Sequence, residues 1–136
     1  MKNTLKILYC DWDCGIDQNG ISRLNLIELS VTYNKKIKNV NHMKNTLIKL
    51  DCGCDSEIDQ NSISELNLIE LNAISNIKIK NVNHMKKTLK ILFCGYKSAI
   101  DQNGISQLNL IELYAHGNKQ IQNVDHMNKT LTRFYL

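Results

Sequence analysis

Hydrophobic residues return along this chain with a fixed period of 21 residues. Leucine holds the first position of every unit, with no insertion or deletion, at Leu5, Leu26, Leu47, Leu68, Leu89, Leu110 and Leu131. The fourth position is again leucine, except for Phe134 in the last unit, and the twelfth position is always isoleucine. A fixed period of this length predicts a repeat architecture in which each unit forms one coil and packs on the next.

Two kinds of coil alternate. Type A coils carry Ile-Asp-Gln-Asn-Gly/Ser-Ile at positions 12 to 17, as in Ile16–Ile21, and type B coils carry Asn-Val-Asn/Asp-His-Met at positions 14 to 18, as in Asn39–Met43. Both types end on two apolar residues that can close the coil. The predicted chain is one solenoid domain over 1–136, with six coils (5–25, 26–46, 47–67, 68–88, 89–109, 110–130) and a final strand, 131–136.

The spacing inside each coil predicts a strand followed by a short helical or irregular segment. Side chains alternate along a strand, so positions 4 and 6 point inward and positions 3, 5 and 7 point outward. The later apolar residues are three apart and leave room only for a turn of 3-10 helix or a short α-helix. Asn19-Gly20 and Asn103-Gly104 predict tight turns there. The fold class is therefore α/β, a solenoid whose strands stack into one parallel sheet.

The order L-x-x-L-x-(C/V/A)-x-x-N-x-x-I in type B coils, as in Leu26–Ile37, resembles the leucine-rich-repeat family over the whole chain. This resemblance implies a horseshoe-type solenoid with its parallel sheet on the concave face and short 3-10, helical or irregular segments on the convex face. It also implies a role in protein recognition. The phrases LNLIEL, GIDQNG and NVNHM resemble repeat proteins encoded by large DNA viruses that infect amoebae.

The chain departs from the family pattern at position 9. The family's asparagine there caps backbone groups of the neighbouring coil. It is present in type B coils as Asn34, Asn76 and Asn118, whereas type A coils carry Asp13, Asp55 and Lys97. We therefore expect looser turns after the strands of type A coils.

Seven of the eight aromatic residues fall at two outward positions. They are Tyr9, Phe93, Tyr114 and Tyr135 at position 5, and Trp12, Tyr33 and Tyr96 at position 8. Aromatic side chains on one exposed surface are typical anchors of binding sites, although cross-strand aromatic pairs can also simply stabilise a sheet. The position-5 stripe is interrupted by Ser30, Asp51 and Asn72. We predict that this face binds a protein partner, whose identity the sequence does not reveal.

Position 3 of the same face carries acidic residues, Glu28, Glu70 and Glu112, which complete the candidate partner-binding set. Adjacent strands lie about 4.8 Å apart, so Glu28, Lys49 and Glu70 are expected to form a row of cross-strand ion pairs. Such pairs contribute at most about 1 kcal/mol each. Structural support is the preferred interpretation, and selection of a basic partner is the alternative.

Cysteine and histidine offer no metal or catalytic site by their spacing. Cys10, Cys52 and Cys94 share inward position 6 two coils apart, about 10 Å from one another, beyond the reach of a disulfide or a shared zinc. We expect them to be small core residues, and Cys14 and Cys54 to be free exposed thiols in turns. His42, His84 and His126 are spaced by 42 residues, too far apart to bind one metal ion. The repeat places no serine or cysteine nucleophile beside His116. The expectation is a protein without cofactor, metal or enzymatic activity.

Composition adds expectations about compartment. The odd number of cysteines favours a reducing environment, Met1 to Thr4 does not begin a signal peptide, and no apolar run is long enough for a membrane span. These features predict an intracellular protein, in the cytoplasm of a host cell if the source is viral.

Charge leaves a second function open. The net charge of +4 is low for a nucleic-acid binder, but lysines cluster in type B coils at Lys35, Lys36, Lys38, Lys44, Lys78, Lys80, Lys86 and Lys87. A solvated face is the default interpretation, and contact with nucleic acid or an anionic surface is the alternative. Neither end carries a polar capping unit, so self-association, or structural assembly end to end, is a third possibility.

Overall fold

The computed structural model describes residues 4–136 and consists of short parallel strands joined by single helical turns. The strands are β1 (Ile7–Tyr9), β2 (Glu28–Ser30), β3 (Lys49–Asp51), β4 (Glu70–Asn72), β5 (Ile91–Phe93), β6 (Glu112–Tyr114) and β7 (Arg133–Tyr135). One α-helix, α1 (Gln18–Ile21), follows β1, and 3-10 turns occupy Asn41–Met43, Asn61–Ile63, Asn83–Met85, Asn103–Ile105 and Asp125–Met127. Residues 1–3, which the domain and signal-peptide predictions include, lie outside the described residues.

The strands form one seven-stranded sheet in chain order, and every neighbouring pair is parallel. Each residue pairs with the one 21 positions later: Leu29 lies opposite Leu50, and Leu50 lies opposite Leu71. Residues one period apart in the sequence are thus direct neighbours in space, as the repeat predicts. No helix within residues 4–136 is long and apolar enough to cross a membrane.

The core lies behind the sheet and runs through all the stacked coils. Inward residues such as Leu50 and Cys52 are fully buried, together with the position-12 isoleucines from Ile37 to Ile100 and the apolar pairs that close the four inner coils. β1 and β7 each have one neighbouring strand, so Phe134 remains 37% exposed although it holds an inward position. Burial therefore follows the predicted positions, and it is most complete in the middle coils.

Position-9 asparagines clamp neighbouring coils together. The amide nitrogen of Asn76 donates to the carbonyl oxygens of Cys52 and Ile58 in the preceding coil, and its amide oxygen accepts from the backbone N–H groups of Lys78 and Ile79. Asn34 and Asn118 hold the same place and are also buried. One side chain thus satisfies backbone groups on two coils at once.

In type A coils the residue that caps the turn after the strand lies one position later, at position 10. In the first and fifth coils the turn is closed by the N–H of position 10 bonding to the carbonyl of position 7, as from Ser98 to Gly95, whereas type B coils use positions 9 and 6. The buried Ser56 hydroxyl then accepts from the N–H of Ile58, 3.1 Å away, and Ser98 accepts similarly from Ile100. The expected departure in type A coils is thus a displaced turn with its own cap.

The outer segments carry further rungs between coils. The Gln60 side chain accepts from the N–H groups of Lys80 and Asn81 and donates to the Asn81 carbonyl, and Gln18 and Gln102 repeat this pattern. His84 Nε2 lies 3.1 Å from the Ile63 carbonyl oxygen of the preceding coil. A carbonyl only accepts, so this nitrogen carries the proton. The histidines spaced by 42 residues are therefore structural ties.

One expectation about the cysteines is wrong. Cys10 and Cys14 form a disulfide, with their Cα atoms 5.3 Å apart, so Cys14 is not a free thiol. Cys10 is buried in the core as predicted, but its sulfur is bonded. The prediction considered distances between cysteines of different coils. It overlooked Cys10 and Cys14 within one coil, which the chain reversal after β1 brings together. Cys14 holds the place of Ser56 and Ser98, and its sulfur lies 3.5 Å from the N–H of Ile16.

The disulfide should stabilise the first coil measurably. Closing this short loop reduces the entropy of the unfolded chain by an amount worth about 2 kcal/mol. Replacing Cys14 by serine keeps the cap seen at Ser56 and Ser98 but removes the bond. In urea without reductant, we expect the free energy of unfolding of C14S to be about 2 kcal/mol lower than that of the wild type. With dithiothreitol, the two proteins should have equal free energies of unfolding. A difference that persists in dithiothreitol would show that the bond is not its cause.

Candidate functional site

Outward positions 3, 5 and 7 of the coils form the solvent side of the sheet, which we call the sheet face. In the inner strands the middle residue is buried and its two neighbours are mostly half-exposed. The sheet face carries seven of the predicted site residues: Tyr9, Phe93, Tyr114, Tyr135, Glu28, Glu70 and Glu112. Parallel pairing in register brings equal positions of successive coils side by side on it.

Three aromatic rings form a stack along one half of the sheet face. Phe93 and Tyr114 have ring centroids 4.3 Å apart and planes at 8°, and Tyr135 continues the stack at 4.8 Å and 6°. The Tyr114 hydroxyl donates to Glu112 at 2.7 Å, which raises the pKa of Tyr114. Arg133 donates to the same carboxylate at 2.9 Å. The Tyr114 ring, in the middle of the stack, is therefore held in place by its hydroxyl as well as by its neighbours.

The remaining predicted aromatic residues follow the strands instead. Trp12, Tyr33 and Tyr96 lie in the turn after each strand, at position 8. The rings of Trp12 and Tyr33 stack at 4.2 Å, and Tyr96 meets the His116 ring edge-on at 5.6 Å. We call these three position-8 residues the rim. The seven predicted aromatic residues are thus divided among the stack, the rim and Tyr9, which stands at the other end of the sheet face.

Position 8 has an unusual backbone in all six coils. Its φ angle is positive at Trp12 (56°), Tyr33 (59°) and Tyr96 (53°), and also at Cys54, Ser75 and Gly117. Only one of these six residues is glycine, the type that adopts this left-handed conformation without a steric penalty. The rim therefore places bulky side chains where the backbone alone would favour glycine.

The predicted row of ion pairs is present. The Lys49 ammonium group lies 3.5 Å from a carboxylate oxygen of Glu28 and 3.5 Å from one of Glu70. Partial burial lowers the pKa of Lys49, but the two carboxylates outweigh this effect, so the pKa is raised overall. Tyr9 donates its hydroxyl to Glu28 at 2.7 Å, and this bond raises the pKa of Tyr9.

Short side chains in the middle of the sheet face create a depression of about 270 Å³. Its floor contains Ser30, Asp51 and Asn72, and its ends are Tyr9 and Phe93. In the sequence these three residues only interrupt the aromatic stripe, because aligning the coils does not show how far each side chain rises above the sheet. In the structure they form the floor of a recess between aromatic ends.

Sequence reasoning also missed a row of isoleucines at position 2, beside the start of the strands. Ile27, Ile48, Ile69 and Ile111 are 40–45% exposed, a large fraction for isoleucine. The signal was available, because the 21-residue alignment places all four at the same position. They expose apolar surface just before the strands, whereas the position-8 residues lie just after them.

Two of the free cysteines, Cys52 and Cys94, are buried, and Cys54 is partly exposed. Burial raises the pKa of the Cys94 thiol to about 12 and also raises the pKa of Cys52, so both thiols stay protonated. Cys54 contacts the Tyr33 phenol, and this contact raises the pKa of Tyr33. Residues 4–136 contain no group of three histidine, cysteine, aspartate or glutamate side chains that could hold a metal ion.

The lysine-rich segments of type B coils are partly engaged with neighbouring coils. Lys78 pairs with Glu57 at 2.8 Å, Lys44 pairs with Glu65, and Lys86 donates to Gln107 at 2.8 Å. Each of these contacts joins residues 21 positions apart. Part of the basic surface thus serves the stacking of coils.

Comparison of the chain with protein-family models, with curated proteins and with solved structures yields no match.

Proposed function

We propose that the protein is an interaction module of the leucine-rich-repeat type, whose sheet face is concave and binds a protein partner. The binding residues are the stacked aromatics Phe93, Tyr114 and Tyr135, the rim residues Trp12, Tyr33 and Tyr96, and Tyr9 with the three glutamates of position 3. Aromatic side chains combine large contact area with few rotatable bonds, which makes them effective anchors in protein interfaces.

The left-handed backbone of the rim carries this proposal. A non-glycine residue in this conformation costs about 1 kcal/mol or more. Glycine would remove that cost, as Gly117 does at the same position. The Trp12 side chain is nevertheless 67% exposed, so it gains little from burial. Strain of this kind, kept at exposed aromatic residues, supports a role in contact with another molecule.

The stack alone would support a weaker argument. Aromatic pairs across strands contribute up to about 1 kcal/mol to a sheet, which could account for Phe93, Tyr114 and Tyr135 without any partner. The Trp12–Tyr33 ring pair offsets part of the strain at the rim, but glycine would avoid that strain altogether. The isoleucine row adds further exposed apolar surface before the strands. Contiguous exposed apolar surface is typical of interaction sites.

Selection from a yeast-displayed library of random peptides tests the proposal. Clones recovered on the wild-type protein are measured again on two face variants, F93S/Y114S and W12G/Y33G, and on I77S. Ile77 is an exposed apolar residue outside the sheet face, so I77S is a matched control. We expect at least about tenfold weaker binding to one or both face variants, and unchanged binding to I77S.

Circular dichroism of each variant accompanies the binding assay, so that loss of fold is not mistaken for loss of contact. Glycine relieves the backbone strain at position 8, so W12G/Y33G is expected to keep its fold. Clones that bind both face variants as tightly as they bind the wild type would refute the assignment of the sheet face.

A further inference from the structure

The depression between Tyr9 and Phe93 has the size of an extended chain segment. Its ends belong to β1 and β5, four strand spacings apart, which corresponds to about 19 Å. An extended peptide advances about 3.3 Å per residue, so roughly six residues would span this distance. The short side chains of the floor leave the space above the sheet open to such a segment.

The depression is acidic within a basic molecule. Its lining contains three carboxylates, on Glu28, Asp51 and Glu70, and one ammonium group, on Lys49. The sheet face as a whole carries five acids and two bases, a formal charge of −3, in a chain of net charge +4; the other positions therefore carry +7. The members are Asp11, Glu28, Asp51, Glu70, Glu112, Lys49 and Arg133. This segregation opposes binding of an anionic partner here.

The acceptors in the floor are fixed in place before any partner arrives. One carboxylate oxygen of Asp51 accepts from the Thr32 hydroxyl at 3.0 Å and from the Gly53 N–H at 3.2 Å. The other oxygen accepts from the Asn72 amide at 3.0 Å. A carboxylate oriented in this way needs no reordering to meet a cation, which lowers the cost of binding.

We propose that this depression receives an arginine or lysine side chain from an extended, basic segment of a protein partner. The inference rests on the proposed function and adds the chemistry of the partner to it. The cation lies among Glu28, Asp51 and Glu70, and the rings of Tyr9 and Phe93 at the two ends supply further surface, on which cation–π contacts are favourable. Lys49 occupies part of this acidic field and competes with the incoming group.

Because Lys49 competes with the partner's cation, removing the carboxylates and removing Lys49 should change peptide affinity in opposite directions. The probes are peptides from the clones that bind F93S/Y114S or W12G/Y33G more weakly than the wild type. Their affinities are measured at low and high salt. We expect arginine or lysine to be enriched in them. E28Q/E70Q should weaken their binding about tenfold and K49Q should strengthen it several-fold, because removing a competing cation leaves the carboxylates free to pair. E65Q, which removes an acid outside the sheet face, should change nothing.

The outcomes separate the two proposals. Face-dependent peptides without excess arginine or lysine, or with equal affinity for wild type, E28Q/E70Q and K49Q, would overturn the cation site and leave the sheet face as a binding surface. Absence of any face-dependent peptide would overturn both. K49Q keeps the site testable if E28Q/E70Q fails to fold, because weaker or unchanged binding to K49Q contradicts the competition that the site requires.

Discussion

Replacing Asn76 by alanine is expected to lower the free energy of unfolding by about 4 kcal/mol, because four buried hydrogen bonds are lost and each is worth about 1 kcal/mol. The Asn76 side chain is 2% exposed and bonds to two carbonyls of the preceding coil and two N–H groups of its own coil. Alanine cannot replace any of these bonds. The measurement is urea denaturation followed by circular dichroism.

Lys97 provides the control for Asn76. It holds the same position in a neighbouring type A coil but is exposed to solvent, since the cap there belongs to Ser98. K97A should therefore change the free energy of unfolding by no more than about 0.5 kcal/mol. A loss below about 1 kcal/mol for N76A, or equal losses for the two variants, would show that the asparagine clamp does not hold the coils together.

Replacing Gly104 by alanine is expected to cost about 3 kcal/mol, the upper end for overpacking. A Cβ atom at this residue would lie 2.1 Å from the carbonyl oxygen of Lys80 in the preceding coil, and this backbone atom cannot move aside as a side chain can. The steric conflict lies between coils, so it disturbs the stacking itself. Thermal and urea denaturation of G104A measure the effect.

Two other positions make this prediction specific. Ser62 occupies the equivalent place two coils earlier, where its hydroxyl donates to the Lys38 carbonyl and the Val40 N–H to Ser62 oxygen distance is 3.4 Å. The corresponding distance at Gly104 is 3.0 Å, so the coils lie closer there. G104S meets the same steric conflict, but its hydroxyl can donate to the Lys80 carbonyl as Ser62 donates to Lys38, so G104S should lose less stability than G104A. G20A should lose less than G104A, because the atom nearest its Cβ is a side-chain methyl group of Ile16, 2.8 Å away, rather than backbone of another coil. Equal losses for all three variants would contradict the steric explanation.

The sequence predicted the stacking well because one physical requirement recurs in every coil. A buried position must be apolar each time the chain returns to it, so Leu29, Leu50 and Leu71 reveal both the period and the register. The Asn-Gly pairs were harder to interpret. They predicted tight turns, and Gly20 and Gly104 lie within single helical turns. Gly104 also allows close packing against the preceding coil, which the residue pair alone does not reveal.

Local backbone geometry escaped prediction for a different reason. The left-handed conformation at Trp12 and Tyr33 has no signature in residue type, because glycine, the usual signal, occurs in only one coil at this position. The disulfide between Cys10 and Cys14 depends on how sharply the chain reverses after β1. Both features arise in the turns after the strands, where the period fixes which residues are neighbours but not the path of the backbone between them.

The sheet face was predicted as a surface, but its relief was not. The alternation of side chains placed Tyr9, Phe93 and the glutamates outward, and the ion pairs of Lys49 followed from strand spacing. The depression over Asp51 depends on side-chain length in three adjacent strands and on how the aromatic ends stand, which a one-dimensional pattern does not encode.

Binding at the sheet face is tested most directly by nuclear magnetic resonance of protein carrying 13C-labelled aromatic rings and 15N-labelled lysine, titrated with a peptide recovered from the library. We predict shifts of the Phe93, Tyr114 and Tyr33 ring signals, with the lysines of the type B outer segments unchanged. Shifts confined to outer lysines such as Lys36 and Lys80, with the ring signals unmoved, would contradict the account.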